Sequence, residues 1–404
     1  MNRNTIKKII ASGLIIVTTV VFAEINNNGL KMPGNITFNS IVEAEEISTG
    51  NTEAVKEDKS KVLPEVKNYS LKQSNINILS GKSGNVTVSW TKNSKANGYQ
   101  IQYSTDQNFV SSKIKTIKGQ NKNSTKLAKL NSKKNYYVRV RGYAKKGRNK
   151  YYSDWSSCAE IISWNSKWEF AGYSKIHTDA ATLYFSTASK LKQKTVCVNA
   201  GHGTKGGESV KTYCHPDKSA KVTGGSTAQG AVKATSINGG TTLSDGTSEA
   251  KATLKLAKVV KKKLLKAGYN VLMVRESEDS QIDNIGRTVY ANNNADYHIA
   301  LHYDSSSANK GAFYISVPNN KSYRNMYPVS KNWKKHNKLG QNLIWGMKNA
   351  GVKIYGNGAM AIDLTQTSYS TIASVDLEVG DKRSNHSGKA LNKIANGIVK
   401  GMNK

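Results

Sequence analysis

The chain has 404 residues and carries 60 Lys and Arg against 27 Asp and Glu, a formal charge of +33 at pH 7. Its cysteines are Cys158, Cys197 and Cys214. A scaffold built on disulfides needs a larger and even set, so burial must hold this fold together. The length allows more than one domain, one of them with a substantial core.

Residues 1–8 hold Arg3, Lys7 and Lys8 and no acid, and an apolar stretch from Ile9 to Phe22 ends in Val21-Phe22-Ala23. That is the layout of a secretory signal peptide cut after Ala23. The alternative, an uncleaved anchor, would need about 20 apolar residues to span a bilayer, and the stretch is shorter. No other segment suits stable membrane insertion. So basic a secreted chain should accumulate on polyanions. No zinc knuckle, basic helix or stacking platform is present, which argues against nucleic acid, and the expected partners are the anionic polymers of a bacterial cell wall. The expected location is secreted and wall-associated. Nothing in the sequence specifies an oligomeric state.

Residues 24–66 are rich in Asn, Glu and Lys and poor in apolar side chains, as in a flexible leader. Residues 67–165 alternate in short runs: 86–90, 99–103 and 136–141 each put apolar side chains on one face. Trp90, the run Gly98-Tyr99-Gln100-Ile101-Gln102-Tyr103, Leu130 followed by Tyr136, and Ser153-Asp154-Trp155-Ser156 occur in order. This region resembles a fibronectin type III domain, which implies a β-sandwich with a core tryptophan and a tyrosine corner. The family is not catalytic, so a spacer or adhesive role is expected. Residues 166–193 form a connecting segment whose Trp168, Phe170, Tyr173, Tyr184 and Phe185 are too apolar for a free linker. They are expected to dock on a neighbouring domain.

Residues 194–404 read as an α/β three-layer domain with a mostly parallel sheet and helices on both faces. Strands are expected at 195–200, 271–274, 297–302 and 375–379. Helices are expected at 249–267, 287–292 and 333–350. A last helix carries Ala390, Leu391, Ile394, Ala395, Ile398 and Val399 on one stripe. Ser248 caps the start of the first long helix and Gly268 its end.

Catalytic groups gather beyond the carboxyl ends of such strands. His202 stands there, between Gly201 and Gly203. Glu249, His302 and Glu378 fall on the same edge of the expected sheet. Two imidazoles and one carboxylate are a common zinc set, with a fourth position open to water. Zinc brings that water's pKa towards about 7, and a further carboxylate can then move its proton.

The run Val198-Asn199-Ala200-Gly201-His202-Gly203, the helix start Ser248-Glu249-Ala250-Lys251, the block 286–302 and Val375-Asp376-Leu377-Glu378-Val379-Gly380 resemble the zinc-dependent N-acetylmuramoyl-L-alanine amidases. The resemblance covers 194–404. It implies one zinc ion held by His202, Glu249 and His302, with Glu378 as catalytic acid and base. The substrate would be peptidoglycan, cut between N-acetylmuramic acid and L-alanine. The rival readings are a wall-binding protein with an amidase-like fold and a zinc peptidase acting on stem peptides. This chain departs from the family in a Gly/Ser/Thr/Lys-rich insertion over 203–248, in Tyr303-Asp304 after the second histidine, and in Asp381. Asp376 shares a strand face with Glu378 and is a rival base. His298 is read as a core residue, and Arg287 as orienting or pairing with carboxylates. His177, His215, His336 and His386 are expected at the surface, and Cys214-His215 in a surface loop.

Overall fold

The computed structural model describes residues 71–404, apart from Asn75 and Ser80. The signal-peptide reading of 1–23 and the leader reading of 24–66 lie outside the described residues. No helix among the described residues is long and apolar enough to cross a membrane.

The N-terminal domain is the expected sandwich. Its strands are β1 (Ile76–Leu79), β2 (Val86–Trp90), β3 (Gly98–Ser104), β4 (Lys113–Lys118), β5 (Ser124–Leu127), β6 (Tyr136–Lys146), β7 (Asn149–Tyr152) and β8 (Ala159–Ile162). One sheet runs β1-β2-β5; the other carries β4-β3-β6-β8, with β7 paired to β6. The alternation read from the sequence buries Val86, Val88 and Trp90 against Tyr99, Ile101, Val138 and Val140. The Trp90 and Tyr99 rings meet at 5.2 Å. The Tyr136 hydroxyl accepts the Asn131 backbone N–H at 3.0 Å, closing the expected tyrosine corner.

The connecting segment supplies a further strand, β9 (Ala181–Tyr184). It pairs antiparallel with β8 on one side. On the other side it pairs antiparallel with β13 (Asn270–Met273; β10 to β12 are given below), which belongs to the C-terminal domain. The two domains therefore share one continuous sheet. Trp168 of this segment and Trp164 just before it pack edge-on against Tyr290 at 5.5 and 5.4 Å, which docks the segment on the C-terminal domain.

The C-terminal sheet is mixed. β10 (Thr195–Ala200) lies between β13 and β14 (Tyr297–Asp304), parallel to both. β15 (Ala312–Ser316) and β16 (Ile354–Ala361) were not expected from the sequence. β17 (Ala373–Asp381) continues the parallel run from β14, and β15 then pairs antiparallel with β17. Within the 203–248 insertion, β11 (Lys211–Tyr213) and β12 (Lys233–Thr235) form a small antiparallel pair.

Alternation along β10 sends its side chains to both layers. Val196 and Val198 join the layer of α1 (Glu249–Lys266), α4 (Val329–Asn349) and α6 (Gly388–Met402), where Leu256, Val260, Leu343, Met347, Leu391 and Ile398 are buried. Cys197 faces the other side, with Leu272 and with Tyr290 of α2 (Asn284–Asn294). The short helices α3 (Lys321–Asn325) and α5 (Thr365–Tyr369) complete the domain. Ser248 caps α1 by accepting the Lys251 N–H, and Gly268 ends it at φ +95°. Such a cap contributes about 1 kcal/mol, and it fixes where Glu249 stands.

Candidate metal centre

The parallel strands β10, β14 and β17 end at one edge of the sheet, and the candidate residues meet there. His202 lies just past β10 with φ +62°, a conformation costly for any residue but glycine. Two buried arginines hold the loop in that shape. Arg287 Nη2 donates to the His202 carbonyl (2.7 Å) and Nη1 to the Ala200 carbonyl (2.9 Å) and Asn199 Oδ1 (3.1 Å). Its remaining bonds go to the Ile282 carbonyl (3.0 Å) and Thr204 Oγ1 (3.1 Å). Arg275 donates to the Ala200 and Gly201 carbonyls at 3.1 and 2.9 Å. Burial pulls Arg287 down to about 9 and Arg275 down to about 10, so both stay charged at neutral pH. Arg287 thus orients backbone, and the expected pairing with carboxylates is not what its hydrogen bonds show. Arg275 belongs to no pattern in the sequence that marks it.

The glycines beside His202 leave room for what approaches. A Cβ on Gly201 would fall inside the His302 ring, and one on Gly203 would strike the Arg275 guanidinium. Gly240, from the insertion, sits at φ +82°, where a Cβ would stand 2.7 Å from His202 Cδ2 and 2.9 Å from Glu249 Oε2.

His202 Nε2 stands 2.9 Å from Glu249 Oε1 and 3.0 Å from His302 Nδ1. His302 Nδ1 is 3.1 Å from the same Glu249 oxygen. These three residues are the one group of metal-ligand type found among the described residues, with donor atoms all within 4.8 Å of one another. His202 Nδ1 lies 2.9 Å from the Asn238 carbonyl, also from the insertion. Glu249 Oε1 accepts the Tyr303 N–H (3.0 Å) and Oε2 the Thr241 N–H (2.9 Å).

Electrostatics favour positive charge here. Burial alone would raise Glu249, but hydrogen bonds from His202 and His302 hold it well below the ordinary carboxylate range. Burial alone would lower His302, but the Asp376 and Glu249 carboxylates push it up to about 10. Both shifts favour positive charge where the three donors converge.

Strand β17 pairs Glu378 with His302 and Asp376 with Ala300, so both acids share the face of His302. Glu378 Oε2 and Asp376 Oδ1 are buried without a hydrogen-bond partner. Burial, then the neighbouring Asp376, raises Glu378 well above the ordinary carboxylate range. Both acids line a cleft of about 760 Å³ with the three donors. The insertion forms one wall through Lys221, Gly225–Thr227 and Ile237–Thr241, and Met360, Ile362 and Leu364 form the other.

Asp363 binds these walls together. Its carboxylate lies 3.1 Å from His215 Nε2 and accepts from Lys221 Nζ (2.8 Å), the Val222 N–H (2.7 Å) and the Thr223 hydroxyl. His215 and Cys214 are therefore buried, and the surface loop expected for them is corrected: the pair faces inward because His215 meets Asp363. His336 is likewise buried, accepting the Ser374 N–H at 2.9 Å. His177 is half-buried and stacked on Trp164 at 4.5 Å, and His386 is half-buried beside Asp245 at 3.1 Å. His298 is a core residue as expected, between Asn199 and Ser374. Asp304 pairs with Lys310 at 3.0 Å at the rim of the cleft.

A family model described as N-acetylmuramoyl-L-alanine amidase matches residues 196–404, and a fibronectin type III domain model matches 73–159. Among solved structures, the chain is similar to the apo form of Ami1, an N-acetylmuramyl-L-alanine amidase from Mycobacterium abscessus, at 16% identity, over 52% of this chain and 97% of that one, with a TM-score of 0.42. Ami1 from Mycobacterium smegmatis is similar at 16% identity over 53% and 97%, TM-score 0.43. An N-acetylmuramoyl-L-alanine amidase from Clostridium difficile 630 is similar at 17% identity over 52% and 94%, TM-score 0.36. No curated protein matches.

Proposed function

Since the chain belongs to the N-acetylmuramoyl-L-alanine amidase family, we propose that it is a secreted, zinc-dependent enzyme of bacterial peptidoglycan. It would hydrolyse the amide between the lactyl group of N-acetylmuramic acid and the L-alanine of the stem peptide. One observation carries the reading: His202 Nε2, Glu249 Oε1 and His302 Nδ1 face one another at 2.9–3.1 Å, with the Glu378 carboxylate lining the same cleft. Three converging lone pairs repel unless a cation lies between them. Zn–N bonds of about 2.05 Å give tetrahedral edges of about 3.3 Å, close to these spacings. Two nitrogens and one oxygen suit zinc better than calcium or magnesium.

Zinc held there would polarise the amide carbonyl and acidify a water. Glu378, on the same strand face as His302, would take that water's proton as its oxygen adds to the carbonyl carbon, and would return it to the leaving nitrogen as the C–N bond breaks. A carboxyl raised by its surroundings suits both halves of that exchange.

Secretion is supported by the charge and apolar pattern of residues 1–23. Retention on anionic wall polymers is supported by the net charge of +33. A depression of about 690 Å³ lined by Lys334, Lys335, Lys338 and Lys404 lies at the opposite ends of the parallel strands and suits such a polymer.

Zinc analysis of the full chain, with mass spectrometry of its products on purified peptidoglycan, tests the reading. Released peptides beginning with free L-alanine support it. Cuts within the stem peptide would indicate a peptidase, and binding without release a non-catalytic wall protein. Glu378→Gln should hold zinc and turn over nothing; full activity in that variant refutes the assignment of the base.

A further inference from the structure

The two histidines of the centre present different ring nitrogens to it. His202 turns Nε2 inward, and its Nδ1 meets the Asn238 carbonyl at 2.9 Å. His302 turns Nδ1 inward, so its Nε2 points away from the converging donors. A metal-bound imidazole is fixed in tautomer and rotation by the group that accepts its other N–H, commonly a carboxylate or a backbone carbonyl. For His202 that group is a carbonyl. For His302 the carboxylate paired with Nε2 is Asp376, whose Oδ2 lies 3.8 Å away.

Several observations agree on this pairing. Asp376 Oδ1 is buried without any hydrogen-bond partner, so this carboxylate is not committed elsewhere. Asp376 pairs with Ala300 across β14 and β17, two residues before the Glu378–His302 pair. The strand register thus sets Asp376 on the same face as His302, one step back from the rim. Opposite its ring, Gly201 has no Cβ, which would otherwise displace the imidazole. A ring resting on a glycine needs a hold from another direction.

From this geometry we infer that Asp376 is a positioning residue that orients His302 for the metal, while Glu378 alone faces the reacting atoms. The inference rests on the zinc reading proposed above. It divides two carboxylates on one strand face into a holder of the ligand and a carrier of the substrate's proton.

The test uses the full chain and three variants: Asp376→Asn, Asp376→Leu and Glu378→Gln. Zinc affinity is measured by competition with a chelating dye. The absorption spectrum of the cobalt(II)-loaded protein reports ligand geometry without turnover. Loss of an orienting carboxylate typically costs 10–100-fold in metal affinity. Asp376→Leu should therefore bind zinc about 10–100-fold more weakly and show a changed cobalt spectrum, with Asp376→Asn in between. At saturating zinc both should still turn over, unlike Glu378→Gln. Glu378→Gln should behave oppositely, with zinc affinity and spectrum kept and kcat lost. Near-isosteric Asp376→Asn guards against a folding defect in the leucine variant. Wild-type zinc affinity in both Asp376 variants overturns the inference. Wild-type affinity together with lost kcat would make Asp376 the base instead. A wild-type chain that takes up no zinc overturns the zinc reading and this inference together.

Discussion

Replacing Arg287 by Met tests how the His202 loop is held. The guanidinium is fully buried, and its N–H groups reach Ile282, Asn199, Ala200, His202 and Thr204. Not every acceptor is orphaned by its loss. The Ala200 carbonyl keeps Arg275, the Ile282 carbonyl keeps the Thr204 hydroxyl, and that hydroxyl keeps its donation to Ser280. Asn199 Oδ1 and the His202 carbonyl lose the one donor described for them. Each buried orphan costs about 1–3 kcal/mol, so Arg287→Met should destabilise by about 4 kcal/mol. In a domain of this size that lowers Tm by on the order of 10 °C. Calorimetry in chelator keeps metal binding out of the measurement. Arg287→Lys keeps the charge but not the fork, and should recover at most about half of the loss. A Tm for Arg287→Met within about 2 °C of wild type would refute the view that this side chain sustains the strained His202 backbone.

Gly201→Ala places a methyl inside the His302 ring, so it should fold but lose zinc, measured by metal content after dialysis. The buried surroundings that raise Glu378 also make a pH prediction in chelator. Its folded-state value lies above the unfolded one, so its stabilising effect is full below about pH 4.5 and is lost as pH rises through the folded value. Glu378→Gln should accordingly melt higher than wild type at pH 8 and nearly equal to it at pH 4.5; equal melting at both would show the carboxyl is unperturbed. A chain beginning at residue 194 removes β9 and bares the edge of β13, and should aggregate where a chain beginning at 71, which keeps β8 paired with β9, stays monodisperse by light scattering.

The legible parts of this molecule are those whose patterns are local. β10 is an apolar run closed by glycine, and α1 has a capping serine, helical periodicity and a glycine stop, so both were placed closely. His202, Glu249 and His302 could be singled out because each sits at such an element end. β15 is a short buried run whose sequence, Ala-Phe-Tyr-Ile-Ser, lacks alternation, and β16 is broken by Gly356 and Gly358, so neither period appears. β9 is four residues whose role exists only through partners on both sides. Buried histidines and arginines are the hardest case. His215 and His336 look like surface residues until Asp363 and the Ser374 backbone come to meet them. Arg275 and Arg287 are satisfied mostly by main-chain carbonyls, which carry no signature in the sequence.

The sheet edge that gathers His202, Glu249 and His302 depends on segments that lie outside the α/β pattern. From one side, the insertion brings the Asn238 carbonyl to His202, the Thr241 N–H to Glu249 and the Cβ-free Gly240 between them. From the other, the connecting segment grips the start of α2. Asp283, which caps α2 by accepting the Gly286 N–H (2.7 Å), also accepts the Ser174 hydroxyl (2.9 Å) and the N–H groups of Lys175 (2.7 Å) and Ile176 (3.0 Å). One turn further along α2 stands Arg287, which holds the His202 carbonyl. The residues between the two domains therefore reach the His202 loop through one capped helix and one guanidinium. A sandwich domain joined through β8 and β9 to the same sheet, and feeding this grip, is continuous with the C-terminal domain rather than tethered on a free linker.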